Sequence, residues 1–450
     1  MNNHRRFVSH TLAVRLVIVG AFVLAPFTRG VVGAVPRSSP PKSDPSVPIF
    51  LVGDGTPASC TQDAIQMELN AATAGGGRIF FNCGRDPITI PIGATGGVPL
   101  TLPDDTTIDG SGRITLVATT ASGPGVSIDA NAAVVLKNLN IVGGGGLFDA
   151  VVNSGSLIVW HCTFSGFSQG VIHSTGTLVI TESTFSDNGS FIVSAVRIAS
   201  GKGFVNRSVF TNNRAQFAGA IDNGGTLAVA NSTFANNAAD SFGGGGAIGN
   251  GGVLTIENTE FSGNVAGLGG ALLNEGSLRV QGGTFANNQG LAGGGGAIFG
   301  AGTMILDNCD FLNNSVSGSG GSLYISGSVD IVDSSFSGNH AVGGDGGAIY
   351  TSADVLTIRR SLVITNTADR DGGGIFVAAG SLVQHQTTVA ANTPNDIAGP
   401  QALSTAVLKS GGDPRTVNEW LRSQILYGLT VSPDAAAEWR ATLRQHLPLF

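Results

Sequence analysis

An aromatic residue followed three positions later by asparagine recurs in phase along this chain: Phe185/Asn188, Phe210/Asn213, Phe234/Asn237, Phe261/Asn264, Phe285/Asn288, Phe311/Asn314 and Phe336/Asn339. Val363/Asn366 and Val389/Asn392 continue the series, and Phe164 opens it without its Asn. Successive copies lie 21 to 27 residues apart. Self-similarity at such a period is the mark of a solenoid, in which each unit buries its apolar face only against its neighbours.

A second signature keeps step with the first. Gly245-Gly246-Ala247-Ile248, Gly295-Gly296-Ala297-Ile298 and Gly346-Gly347-Ala348-Ile349 match fully, with variants at Ala218–Ile221, Gly269–Leu272, Gly320–Leu323 and Gly372–Ile375. Shortly before each aromatic stands an alternating apolar pair, such as Leu227/Val229, Leu254/Ile256 and Leu278/Val280. A period of two specifies strands, and the spacing of three and four that a helical solenoid needs is missing. The expected fold is therefore all-β, a right-handed parallel β-helix of about twelve coils from Arg78 to Ile397, with like residues stacked at ~4.8 Å. The Phe residues should form an internal column. The Asn residues should occupy turns, tolerating left-handed backbone and bonding the neighbouring coil. The glycine pairs should serve corners where a Cβ would clash.

Composition fits this and narrows function. Glycine supplies 68 residues and charged residues only 12%, with no collagen-like period. A net charge of -7 gives no basic footprint for nucleic acid. Residues 1–34 read as a signal peptide: His4-Arg5-Arg6 precede the apolar run Leu16–Phe27, and Val32-Gly33-Ala34 supply small residues for cleavage. An uncleaved membrane anchor is the alternative reading of that run. Residues 35–48 form a Pro/Ser-rich linker, 49–77 an N-terminal cap, 78–399 the β-helix and 400–450 a helical C-terminal segment. The protein is expected to be secreted or held at the cell surface, monomeric, and without a membrane span once the signal is removed.

The capping expectation is physical, because a β-helix leaves open strand edges at both ends. Thr61–Ala72 should cap the first coil, with Ala64, Ile65, Met67 and Leu69 as contacts. Val417–Tyr427 and Ala435–His446, the latter preceded by Ser432-Pro433-Asp434, should cover the other end or pack alongside. Folding that N-terminal helix back onto the next strand would bring Cys60 to Cys83. Export permits a disulfide there, though two free thiols fit the sequence equally. Cys162 and Cys309 hold one repeat position six coils apart, roughly 29 Å, beyond the reach of a disulfide.

The paired repeats resemble those of chlamydial polymorphic outer membrane proteins and related bacterial β-helix proteins, over roughly Phe164 to Asn392. Cys60-Thr61-Gln62-Asp63-Ala64-Ile65 resembles the CSLREA segment of secreted bacterial β-helix proteins, and Thr107-Ile108-Asp109-Gly110 resembles their first coils. The resemblance implies a surface or extracellular protein. It departs at the C-terminus, where about fifty residues stand in place of the family's membrane barrel.

Parallel β-helices include pectate lyases and polygalacturonases, whose motif sets (Asn-Thr-Asp, paired Asp, Gly-His-Gly, Arg-Ile-Lys) do not occur here together. Asp104-Asp105 is the sole adjacent acid pair. One acidic group invites a ligand. Asp345 and Asp371 each precede a glycine pair in consecutive repeats, Asp369 and Arg370 adjoin the second, and His340 lies earlier in that turn region. Stacked carboxylates call for a cation, so calcium at Asp345, Asp369 and Asp371, or a sugar, is one reading; a solvated turn neutralised by Arg370 is the other. No cofactor is otherwise required. Glu257, Gln281, Asp307, Arg359 and His385 should form an outward polar ladder suited to a polysaccharide, or simply to water. The expected role is binding, structural or adhesive, toward a polysaccharide or another surface protein. A polysaccharide lyase or glycoside hydrolase with an unrecognised site is the alternative.

Overall fold

A computed structural model describes residues 47–72, 75–93, 99–119, 124–145, 149–189, 194–240 and 244–400. The expected signal peptide, all but the end of the linker, and the C-terminal helices lie outside these residues. Every repeat closes into one turn of a right-handed parallel solenoid. Thirteen short strands, from Leu100–Leu102 to Ile397–Ala398, stack in strict sequence order into one parallel sheet, and so count thirteen turns where about twelve were expected. The early turns lack the aromatic signature that marks the others. A twenty-five-strand sheet and a seven-strand sheet complete the wall.

A typical coil shows how the sequence bends. Thr177–Thr181 runs straight, Glu182 turns with φ 49°, Thr184–Ser186 runs on, and Asp187 turns with φ 56°. The same two left-handed corners recur at Arg207 and Asn212, Asn231 and Asn236, Asn308 and Asn313. The left-handed residue at the second corner is thus the one before the repeat Asn, not that Asn itself. Asn and Asp fill many of these positions because their short polar chains ease a conformation that costs other residues ~1–2 kcal/mol.

Between the corners the inward side chains form continuous columns. Phe164, Phe185, Phe210, Phe234, Phe261, Phe285, Phe311 and Phe336 are all fully buried. Their rings stack in sequence with centroids 4.6 to 5.0 Å apart. Beside them runs a column of buried asparagines. Asn264 donates through Nδ2 to the Asn288 Oδ1 (2.9 Å) and the Phe234 carbonyl (2.9 Å), and its Oδ1 accepts from the Asn237 backbone N–H and side-chain amide. The pattern repeats from Asn188 to Asn392, whose amide ends on Asp396 (3.0 Å). Cys162 and Cys309 sit in a third column, their backbone N–H groups donating to Ser183 and Ser334 of the next coil at 3.1 Å. Burial pushes both thiols up to about 12, so they stay protonated and inert. At the corner before Leu323–Ile325, a Cβ on Gly321 would lie 1.9 Å from the Gly347 carbonyl oxygen, and Gly246, Gly270 and Gly296 meet the same obstacle at their corners, so these coils close on glycine.

The N-terminal end is capped. Helix α1 (Gln62–Ala71), whose N-cap Thr61 accepts from the Ala64 N–H, buries Ile65 and Leu69 and leans Ala64 on the core. Met67 faces solvent instead, 62% exposed, because two residues from both Ile65 and Leu69 it lies on the opposite side of the helix. The oxygens of Gln62 and Gln66 accept strand-edge N–H groups of Gly93 (2.7 Å) and Thr101 (3.4 Å). A strand, Ile49–Val52, pairs with Gly77–Phe81, and a disulfide joins Cys60 to Cys83 with Cα atoms 5.7 Å apart.

Phe261→Ala should lower unfolding free energy by about 3–5 kcal/mol, the range for deleting a fully buried Phe. Denaturant unfolding checks this. A loss under about half a kcal/mol would mean the ring column contributes nothing.

Candidate functional site

The fold turns any outward position into a line of side chains parallel to the axis. Three such lines carry chemistry. The first contains the turn residues expected from the sequence, and the structure divides them. His340 Nε2 lies 2.9 Å from Asp369, which also accepts from the Gly343 N–H (2.7 Å). Both contacts, the imidazole first, hold the Asp369 carboxyl below the ordinary range. Asp345 and Asp371 stack apart from that pair: the Asp371 N–H donates to Asp345 (3.2 Å) and the Asn395 amide donates to Asp371 (3.2 Å). Backbone and amide donors therefore compensate these two acids, and Arg370 forms no ion pair among the described residues. The three carboxylates do not converge: no group of three or more His, Cys, Asp or Glu able to hold a metal ion occurs among the described residues.

The expected polar ladder does form. Glu257, Gln281, Asp307, Arg359 and His385 occupy one register position, with Val332 between Asp307 and Arg359, and all face outward. Ion pairs tie it to an adjacent line, Arg279 to Asp307 (3.8 Å) and Arg359 to Asp330, and at the neighbouring corner Arg360 pairs with Asp333 (2.6 Å). On the early coils the same face carries a denser group. Lys137 Nζ lies 3.2 Å from Asp109 and 4.6 Å from the Trp160 ring centre. Glu182 accepts from the Trp160 indole N–H (3.1 Å) and from Arg207 (3.3 Å), and contacts His161. These partners, the indole first, hold the Glu182 carboxyl below its ordinary range. Each charge in the group already has its counterpart.

The third line was not anticipated. The middle residues of the thirteen-strand sheet point outward, and in four consecutive coils they are Phe299, Tyr324, Tyr350 and Phe376. Their rings stack with centroids 5.1, 4.7 and 5.6 Å apart, all partly exposed. Burial first, then Tyr324 and Asp345, pushes the Tyr350 phenol up, which ties this stack to the acidic turn. Further toward the N-terminus the same line reads His173, Arg197, Asp222. His173 lies 3.6 Å from Asp149, and Arg197 lies 3.4 Å from Asp222. Burial holds both carboxyls above the ordinary aspartate range against the pull of His173 and Arg197. The signal for the aromatic part was available: the residue after each Gly-Gly-Ala-Ile copy turns aromatic from Phe299 onward.

Residues 220–393 match the family model described as a right handed beta helix region. No curated protein matches the chain. Among solved structures, the Azotobacter vinelandii mannuronan C-5 epimerase AlgE4 A-module is similar at 17% identity, over 78% of this chain and 96% of that one, with a TM-score of 0.33. The AlgE6 A-module of the same organism is similar at 14% identity, over 78% and 99%, with a TM-score of 0.32.

A carboxyl with a lowered pKa stabilises the fold above its ordinary range and loses that contribution as the pH falls through the lowered value. Glu182→Gln should therefore reduce the melting temperature at pH 7, and the gap to wild type should close on acidification below the ordinary glutamate value. Melting curves from pH 7 to 2.5 check this; a constant gap would show that Glu182 charge is irrelevant.

Proposed function

We propose that the protein is a secreted, non-catalytic binding scaffold that holds a linear polysaccharide along the outer face of its thirteen-strand sheet. The observation that carries this reading is the outward aromatic stack on that face, Phe299 to Phe376, which Gly249 and Leu273 separate from a charged stretch, His173 to Asp222, on the same line. Within the aromatic stretch the rings repeat at the strand spacing in one straight row, so an extended polymer meets like groups over four consecutive coils. Peptide strand addition requires an open sheet edge, whereas every internal strand here is paired on both sides. The stacked rings hide their faces from solvent and offer edges and two phenol hydroxyls, which suit hydroxyl-rich ligands. The signal-like N-terminus and the resemblance to surface β-helix proteins support an extracellular location. A second reading, a polysaccharide lyase or glycoside hydrolase, is favoured by the two elevated carboxyls, Asp149 and Asp222, flanking His173 and Arg197.

Affinity electrophoresis against soluble pectin, alginate, glycosaminoglycan and β-glucan tests both. At least one polymer should retard the wild type, and Tyr324→Ala with Tyr350→Ala should weaken that binding about tenfold or more, ~1.4 kcal/mol. Retardation by none of them, or retardation unchanged in the variant, contradicts the scaffold reading. Release of reducing ends or unsaturated uronate, abolished by Asp222→Asn, would replace it with the enzyme.

A further inference from the structure

One stretch of the twenty-five-strand sheet carries its outward side chains in an order that is self-complementary when reversed. Its longer strands present three outward lines parallel to the axis. In the middle line Thr255, Arg279, Ile305, Asp330 and Thr357 follow one another in register over five coils. Ile305 stands at the centre, 40% exposed, with opposite charges one coil away on either side and a threonine beyond each. The line at the strand starts has the same symmetry in apolar form. Val253 and Val355, 48% and 44% exposed, lie two coils before and two coils after Thr303. In the third line Glu257 and Arg359, again opposite in sign, lie two coils either side of Asp307.

A two-fold axis along the Ile305 strand lays this face on a second copy with the two solenoids antiparallel. Arg279 then meets Asp330 of the second copy, Glu257 meets Arg359, Val253 meets Val355, and Ile305 meets itself. An axis along the solenoid would instead set Arg279 against Arg279 and Asp330 against Asp330. Shifting the strand-parallel axis by one coil would put one of those two charges against its own copy. Among these charges only Asp307 meets its like, and Arg279 of its own chain lies 3.8 Å from it. Asp330 is not saturated: Arg359 holds its Oδ2, while its Oδ1 receives no hydrogen bond among the described residues.

We propose that this face is a self-association surface, on which a second copy of the chain docks antiparallel across a two-fold at Ile305. The occupant is a second copy because the face answers its own charges, as an isologous contact requires and a contact with another sequence does not. Five coils span about 19 Å and the strands about 13 Å, with Ala228 and Val383 adding an apolar residue at each end. Such a footprint stands at the low end of stable interfaces, so the dimer forms reversibly with concentration. It takes the place of the monomer expected from the sequence. It is also independent of the polysaccharide reading, which concerns the thirteen-strand sheet.

Sedimentation equilibrium of the full-length chain tests this by charge reversal. Wild type should self-associate as its concentration rises. Arg279→Asp and Asp330→Arg should each weaken that association about tenfold or more, ~1.4 kcal/mol, because like charges then face each other. Mixed in equal amounts, the two variants should associate again, since every contact between positions 279 and 330 regains opposite charges. A wild type monomeric at every concentration, variants that associate as wild type does, or a mixture that stays monomeric would each overturn the proposal. Should either variant lose its β-sheet circular dichroism, Ile305→Lys decides. It sets like charges on the two-fold and should abolish association; association at wild-type strength would overturn the surface.

Discussion

The buried asparagine ladder is the constraint on which the rest of this structure depends. A primary amide has two donors and an oxygen with two lone pairs, and in each internal coil all four are used between neighbouring turns. The pairing leaves no freedom of register. Were one coil to slip by a residue, a buried amide would lose its partners at about 1–3 kcal/mol for each unsatisfied group. The ladder ends on Asp396, whose carboxylate replaces the missing next oxygen and donates nothing onward. Stacked phenylalanines supply the apolar burial, but they would tolerate sliding; the amides do not.

With register fixed, surface chemistry becomes one-dimensional. A residue's important neighbours are those about 25 positions away in sequence, directly above and below it. This explains why charges on the solenoid occur as pairs across coils: Lys137 with Asp109, Arg207 with Glu182, Arg197 with Asp222, Arg360 with Asp333. Like charges in one line repel at the strand spacing, so opposite ones pair there, whereas Asp345 and Asp371 stack only with backbone and amide donors between them. It also explains the outward aromatic stack, where four rings continue on the surface the geometry that the inner phenylalanines adopt in the core.

Much of this was legible because a repeat reports its own three-dimensional neighbours. The internal phenylalanine column, the inert pair Cys162 and Cys309, the glycine corners and the outward polar ladder all followed from phase alone. What escaped did so for physical reasons. The left-handed corner lies one residue before the repeat asparagine, and Asp187, Asn212 and Thr365 share no one residue type there. Phase placed Asp345 above Asp371 correctly, but it could not tell that Asp369 turns to His340, because two residues in a tight turn point to different sides. The group around Trp160 arises where long strands, Thr106–Ala118 and Ala133–Gly143, carry no repeat signature to set its alignment. Met67 was misplaced because a single exposed apolar residue leaves the helical pattern intact.

Native-state hydrogen exchange on Asn264→Leu tests the ladder most directly. Leucine fills the space but leaves the Asn237 backbone N–H and one Asn237 amide hydrogen without acceptors, a loss of roughly 2–6 kcal/mol at 1–3 kcal/mol per group. The account predicts that amides of the coils on both sides, Thr233–Ala235 and Thr284–Ala286, exchange faster together, because the register of each depends on the same rung. Protection unchanged in both neighbours, with a stability loss under about half a kcal/mol, would contradict it and leave the apolar columns as what holds the coils in step.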